Sequence, residues 1–451
     1  MTPGELKAAL GLASLYAVRM LGLFMILPVF ALYAEHLDGV TPFLAGLAIG
    51  IYGLTQAALQ IPFGMLSDRF GRKRIIILGL SIFALGSMVA ALADTMLGVI
   101  LGRALQGAGA IAAAVMALAA DLSREEHRTK VMAVIGVSIG VAFALAMVLG
   151  PVLNSWVGVK GIFWITAALA VGGMLVTRFV IPQPVHSRRH RDAEPVPALF
   201  RRVLTDAQLL RLDVGILTLH MLLTMTFVAV PLALRDAGFR PAQHWELYLP
   251  AQVLAVLAMI PFIILAEKRR RMKPVFLGAI LALALTELGL LNFHASLFTI
   301  GPLLAAFFTC FNLLEAALPS LVAKMSPPDA KGTALGVYSS SQFLGAFLGG
   351  ALGGWAHGRF GLSGVFAVAA LGALLWFFVA YTMKNPRYLS SYVLNIGAIS
   401  EAEAQRVAAR LTRVRGVAEA VVIPADGVAY LKVDQHALDE AALQAFSAAE
   451  A

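Results

Sequence analysis

"GMLSDRFGRKR", residues 64–74, crowds Asp68, Arg69, Arg72, Lys73 and Arg74 into one short stretch. Long apolar runs lie on both sides of it, in a chain of 451 residues that is 59% hydrophobic and only 14% charged. The cluster reads as a solvated turn, as a nucleic-acid patch, or as a working loop between two membrane spans, and the choice decides the fold. The pI of about 9.8 favours nucleic acid at first sight, but the mean hydropathy of +0.82 does not. A soluble fold this apolar would expose large adhesive patches. Apolar runs of about eighteen residues or more instead read as membrane helices. Almost all of the charge falls in short loops between such runs, so nucleic acid is excluded as a partner and a lipid bilayer is expected. The first run is too long for a cleavable signal peptide and lacks a small-residue cleavage site. Cys310, the only cysteine, sits inside an apolar run. No disulfide or thiolate metal cluster can therefore form within one chain.

The runs predict an all-α polytopic membrane protein with twelve transmembrane helices, near residues 7–33, 42–66, 75–93, 96–121, 130–156, 161–181, 209–234, 247–266, 274–293, 297–323, 332–357 and 363–383. They fall into two six-helix bundles, 1–181 and 209–385, joined by a basic linker at 182–208. With the amino terminus inside, the inner segments hold 24 of the 35 Lys and Arg, and the opposite side holds four: Lys160, Arg235, Arg240 and Arg359. Positive charge collects on the cytoplasmic side, so both termini are expected there. The halves share features. An acid with a basic cluster follows span two, at Asp68 to Arg74, and another follows span eight, at Glu267 to Arg271. Arg19 in span one has His220 near the same depth in span seven. Repeated halves of this kind mark a rocking transporter.

Residues 390–451 have another character. "SYVLNIG" reads as a strand, "EAEAQRVAARLTRV" as an amphipathic helix, "GVAEAVVIPADGVAYLKVD" as two strands turning at Asp426-Gly427, and "ALDEAALQAFSAA" as a second helix. The order βαββα predicts a small α+β ferredoxin-like domain in the cytoplasm. Without a cysteine pair it does not bind copper through thiolates. A small-ligand sensor, an oligomerisation module and an inert appendage stay open.

The spacing Gly64, Leu66, Asp68, Arg69, Gly71, Arg72, Arg74 after the second of twelve spans resembles the loop motif of the major facilitator superfamily (MFS). "GRALQGAG" in span four, with Arg103 and Gln106, resembles that family's second motif. "GVSIGVAFALAMVLGP" in span five ends on Gly150-Pro151 and resembles the motif of drug:proton antiporters, although "VLNSW" follows where that family usually has further glycines. The resemblance implies the MFS fold in a bacterial inner membrane and proton-coupled export of small or amphipathic compounds by alternating access. A facilitator or proton symporter for a metabolite is the other transport reading. A transporter with a sensory tail is a third possibility. It further implies a latch: Asp68 facing the amino end of span eleven at "KGTALG", and Arg72 paired with Asp121 at the end of span four. The end of a helix is electronegative and disfavours an acid, so Asp68 and Asp121 both need positive partners. Neighbouring Lys and Arg are left for anionic lipids at the cytoplasmic face.

Charged residues at mid-membrane are costly and usually functional. Arg19 is expected to face the cavity, binding an anion or tuning a nearby acid. Glu315, with Asn312 three residues earlier on the same face, is the expected proton carrier. His220 is either a proton group or a packing histidine. Arg103 is either tied to proton coupling, as the resemblance implies, or a helix–helix hydrogen-bond hub. Gln56 and Gln60 line a cavity or glue helices. Glu287 in span nine is expected to be structural or at the lipid interface. Gly136 and Gly140 in span five, and Gly345, Gly349 and Gly353 in span eleven, form small-residue faces expected where the two halves slide. HExxH and the P-loop GxxxxGK followed by Ser or Thr are absent, which argues against an enzyme and an ATP-driven pump. No catalytic residue, metal or cofactor is expected, and the transport unit is expected to be a monomer.

Overall fold

The computed structural model describes residues 3–183, 195–386, 388–397, 399–435 and 437–447. Arg188, Arg189 and Arg191 of the linker, Arg387, and the last residues of the second tail helix lie outside them.

Local chemistry sets the helix ends. α1 (Pro3–Phe24) and α2 (Leu27–Ala34) are one apolar segment broken just before Pro28, which has no N–H to offer the preceding turn. Thr41 starts α3 (Pro42–Phe70) by accepting the Leu44 N–H at 3.2 Å. Gly71, at φ 96°, ends it and opens α4 (Arg72–Leu92). α5 (Met96–Ala108) and α6 (Ala112–Asp121) are separated at Gly109, and α7 (Glu125–Leu175) follows. Beyond the linker come a short α8 (Phe200–Leu204), α9 (Ala207–Asp236), α10 (His244–Glu267), α11 (Met272–Phe293), α12 (Leu297–Met325) and α13 (Lys331–Tyr381).

Among the described residues, ten segments are long and apolar enough to cross a bilayer, against twelve expected. The difference lies in α7 and α13, each 51 residues long. A straight helix of that length would run about 77 Å, more than twice a hydrocarbon core of about 30 Å. Each is interrupted by a glycine in the left-handed region, Gly158 (φ 68°) and Gly361 (φ 69°). These are the places where spans five and six, and spans eleven and twelve, are expected to separate.

The repeat of the two halves reappears in their hydrogen bonds. Lys73, at the start of α4, donates to the Ile181 carbonyl at 2.7 Å and so closes the end of the segment that follows α7. Lys273, at the start of α11, donates to the Met383 carbonyl at 2.5 Å just past α13. At the end opposite these lysines (the far side), α3 meets α13 through bare backbone. A methyl group added at Gly46 would lie 2.2 Å from the Gly350 carbonyl oxygen, and one at Gly53 would lie 2.3 Å from that of Phe343. An ion pair between Glu35 and Arg235 joins the halves at the same end.

The tail has the expected order, β1 (Ser390–Asn395), α14 (Glu401–Leu411), β2 (Val417–Ile423), β3 (Val428–Val433) and α15 (Glu440–Gln444). The sheet is antiparallel in the order β1-β3-β2, with Gly427 at φ 67° in the β2–β3 turn. Leu394, Leu411, Leu431, Val433 and Leu443 form its core. The tail sits against the bundle. Lys432 donates to the Ala323 carbonyl near the end of α12 and, at 3.2 Å, to Ser391 Oγ. Tyr388 Oη accepts the Met272 N–H at 2.9 Å. Burial, and secondarily the nearby Lys331, lower the Lys432 pKa from the usual 10.5 to about 8. The docked tail therefore binds fewer protons than a free one, and docking gains strength as pH rises from about 8 to about 10.5. The anisotropy of a dye on Ser447→Cys, in a Cys310→Ala background, should rise over that window. Lys432→Met should flatten the profile. A flat profile in the native chain would contradict the assignment.

Candidate functional site

Most of the expected polar site residues gather, among the described residues, into three clusters. The first lies at the α3–α4 turn. Arg72 is buried there, with Nε 3.2 Å from Asp121 Oδ2 and Nη1 2.9 Å from Ser67 Oγ, and it forms an ion pair with Asp68. The Arg72–Asp121 pairing implied by the family resemblance is thus present. Asp68 is placed differently from expectation: its partner is Arg72, in its own half, and not the amino end of α13. The linker occupies the space between. The Val196 N–H donates to Thr333 Oγ1 at 2.9 Å. Pro195 lies against Gly336 and shares a small recess with Gly64, Asp68 and Arg72. Arg69 is exposed and stacks over Phe70 at 5.5 Å. Gly64 lets α3 approach α6, since a methyl there would meet Ala113 Cβ at 3.0 Å.

The second cluster joins α1, α3 and α5. Arg19 donates to Gln56 Oε1, and Gln56 Nε2 donates to Gln60 Oε1 at 3.3 Å. Arg103 bonds the Ala48 carbonyl through Nε (3.3 Å), the Ile49 carbonyl through Nη2 (3.2 Å) and Gln106 Oε1 through Nη1 (2.8 Å). Gln106 passes a further bond to Ser87 at 2.8 Å. Arg103 therefore ties three helices together, the arrangement of a hub. Tyr52, a residue that periodicity presents as plain core, lies between the two guanidinium groups, 5.9 Å from Arg19 and 5.3 Å from Arg103.

The third cluster joins α9, α12 and α13. Gln342 Nε2 lies 3.1 Å from Glu315 Oε1 and 2.9 Å from His220 Nε2. With both amide hydrogens donated, His220 accepts at Nε2 and carries its proton on Nδ1. That atom faces Glu315 Oε2 at 3.8 Å. The Glu315 side chain keeps 33% of its surface exposed, whereas His220 is buried. Asn312 donates to Gln252 Oε1 of α10 at 3.4 Å. Glu287 is wholly buried and takes a 2.8 Å hydrogen bond from Thr226 of α9, so it faces inward and not lipid.

The glycine faces need two corrections. Gly345 and Gly349 lie against the α9 backbone, where an added methyl would come 2.0 Å from the Leu217 and 2.3 Å from the Met221 carbonyl oxygen. They pack inside the second half, not between the halves. Gly136 and Gly140 are exposed, with no described atom within 4 Å of an added methyl. They make no close helix contact. Gly150 lies against the break between α1 and α2, where a methyl would sit 2.5 Å from the Met25 carbonyl oxygen, and Pro151 beside it is buried.

The profile of the Major Facilitator Superfamily matches residues 12–314 and 251–391, and the chain belongs to that family of membrane transporters. It is 49% identical over 435 residues, covering 96% of this chain and 95% of the relative, to the inner membrane transport protein YajR of Escherichia coli. The multidrug resistance protein MdtH of Aeromonas salmonicida is 26% identical over 344 residues, covering 75% of this chain and 84% of the relative. Among solved structures, the nucleoside transporter NupG superposes with a TM-score of 0.66 at 15% identity, covering 83% of this chain and 99% of its own. That last likeness establishes the fold alone.

Proposed function

We propose that this MFS transporter is a proton-coupled antiporter that exports small or amphipathic compounds across a bacterial inner membrane. In this reading the chain crosses the bilayer twelve times, with both termini and a ferredoxin-like tail in the cytoplasm. A monomer is the transport unit. The observation that carries the reading is the His220–Gln342–Glu315 cluster. It sets an acid and a base within a proton's reach, one on each of two helices, with the amide of a third between them. Loading a proton changes the charge at this three-helix junction, and so favours whichever arrangement of the helices holds that charge more cheaply. The Gln56 cluster and Asn312 add polar contacts for a substrate on either side.

Asp68 supplies the second part. When the linker's Pro195 moves aside, the carboxylate can reach the N–H groups at the amino end of α13, a favourable place for an anion. Arg72 and Asp121 stay paired within their own half. Exposed Arg69 and its neighbours meet the anionic leaflet.

The test is proton flux in liposomes holding the purified chain and a pH-sensitive dye. A transported compound added to one side should drive protons to that side, and Glu315→Gln should stop this movement. Movement of protons along with the compound would replace antiport by symport. Unchanged coupling in Glu315→Gln would remove Glu315 as the carrier.

A further inference from the structure

Arg19 differs from every other buried cation in the bundle. It is residue 16 of the 31-residue apolar segment Gly4–Ala34, at its middle, and only 1% of it is exposed. Its single hydrogen bond runs from Nη2 to neutral Gln56, whose own amide is committed to Gln60. Nε and Nη1 have no partner, and no carboxylate pairs with the guanidinium, among the described residues. Arg103, on the other side of Tyr52, has all three nitrogens bonded. The same fold therefore satisfies one buried guanidinium with its own oxygens and leaves the other with vacant donors. A buried charge in this position is costly, and among the described residues only the Gln56 bond and the faces of Tyr52 and Phe83 offset it.

We infer that Arg19 is the recognition point for an anionic group, and that the ligand class is an apolar organic carboxylate. A planar guanidinium suits a carboxylate, and its donors count for more when desolvated. The body of such a ligand would lie among rings: Tyr52 and Phe83 each stand 5.9 Å from the guanidinium. The site also adjoins the junction of the halves, because the Tyr52 ring is 6.2 Å from that of Phe343 on α13. Separation of α3 from α13 opens this wall. The inference deepens the transport reading and rests on it for the ligand's role, but it is tested by binding without any proton gradient.

The full chain in detergent is heated with sodium benzoate, with benzamide, or with sodium chloride at the same ionic strength. Benzoate should raise the unfolding midpoint by a few degrees, while benzamide and chloride should not. Arg19→Gln should weaken the benzoate response at least about tenfold, and Arg19→Lys should keep part of it. Without ligand, Arg19→Gln should melt at or above the native midpoint, since it removes an unpaired buried charge. A benzoate response kept by Arg19→Gln, an equal response to chloride or benzamide, no response at all, or a ligand-free Arg19→Gln that melts well below native would each overturn the inference. If benzoate fails while compound-driven proton flux persists, this inference falls and the antiport reading stands. If flux fails while benzoate binds, only the antiport reading falls.

Discussion

Leucine in place of Gly350 is expected to hold the halves apart at the far side. The Gly350 Cα faces the backbone of the other half, where an added methyl would lie 2.3 Å from the Gly46 carbonyl oxygen and 2.8 Å from the Gly50 Cα and N. Overpacking costs about 1–3 kcal/mol where neighbouring side chains can yield. Here the obstacle is backbone, so the upper figure applies and the closed population should fall about a hundredfold. A disulfide reports this directly. A methyl at Gly358 would stand 3.4 Å from Pro42 Cβ, close to the Cβ separation of about 3.5–4.5 Å in a disulfide. Pro42→Cys with Gly358→Cys, in a Cys310→Ala background, should cross-link readily. The same pair with Gly350→Leu should hardly cross-link, and transport should be lost with it. Equal cross-linking in both backgrounds would show that the seam tolerates separation.

The second large effect concerns Arg72. Arg72→Leu should destabilise the first half by about 3–5 kcal/mol, because it leaves the wholly buried Asp121 carboxylate without the guanidinium it faces. Asp68 is partly exposed and adds little, as exposed pairs do. Replacing both buried partners, Arg72→Leu with Asp121→Leu, should recover most of the loss, since paired apolar groups carry no stranded charge. The unfolding midpoints of the two single variants and the double variant in detergent give the coupling. A double variant no more stable than Arg72→Leu alone would show that the pair is not the reason.

The apolar segments and the order of the tail were legible in the residues, and the Arg72–Asp121 pair was implied by the family resemblance. Apolar length signals a membrane helix whatever it packs against, and an acid at a helix's carboxyl end requires a cation. Partners across the interface were not legible. Gly345 and Gly350 are five residues apart, which places them about 140° apart around the helix. A small-residue pattern announces that a helix is approached closely, but not which neighbour approaches. Gly345 and Gly349 turn to α9, while Gly350 and Gly354 turn to α3. The "GLAIGIYG" run of Gly46, Gly50 and Gly53 carried the same signal on α3 and could have been paired with them. Asp68 was misplaced because a loop residue, Pro195, takes the position beside it, and hydropathy says nothing about where a linker rests. Gln342 was missed since a lone glutamine in an apolar helix reads as glue until its neighbours are known.

Lys73 and Lys273 have a mechanical meaning beyond capping. Lys73 ties the beginning of α4 to the end of the segment after α7, and Lys273 ties the beginning of α11 to the chain just past the end of α13, so each turns an open row of helices into a hoop. Prising either hoop open would strip a lysine ammonium of the carbonyl that holds it. Among the described residues, the linker is what spans the boundary between the hoops on the side of the lysines, with Val196 bonded to Thr333 and Pro195 lying beside Asp68 and Gly336. A loop contact yields more readily than a packed helix seam, so in the proposed transport cycle each hoop would turn as one piece, with the linker as the joint between them.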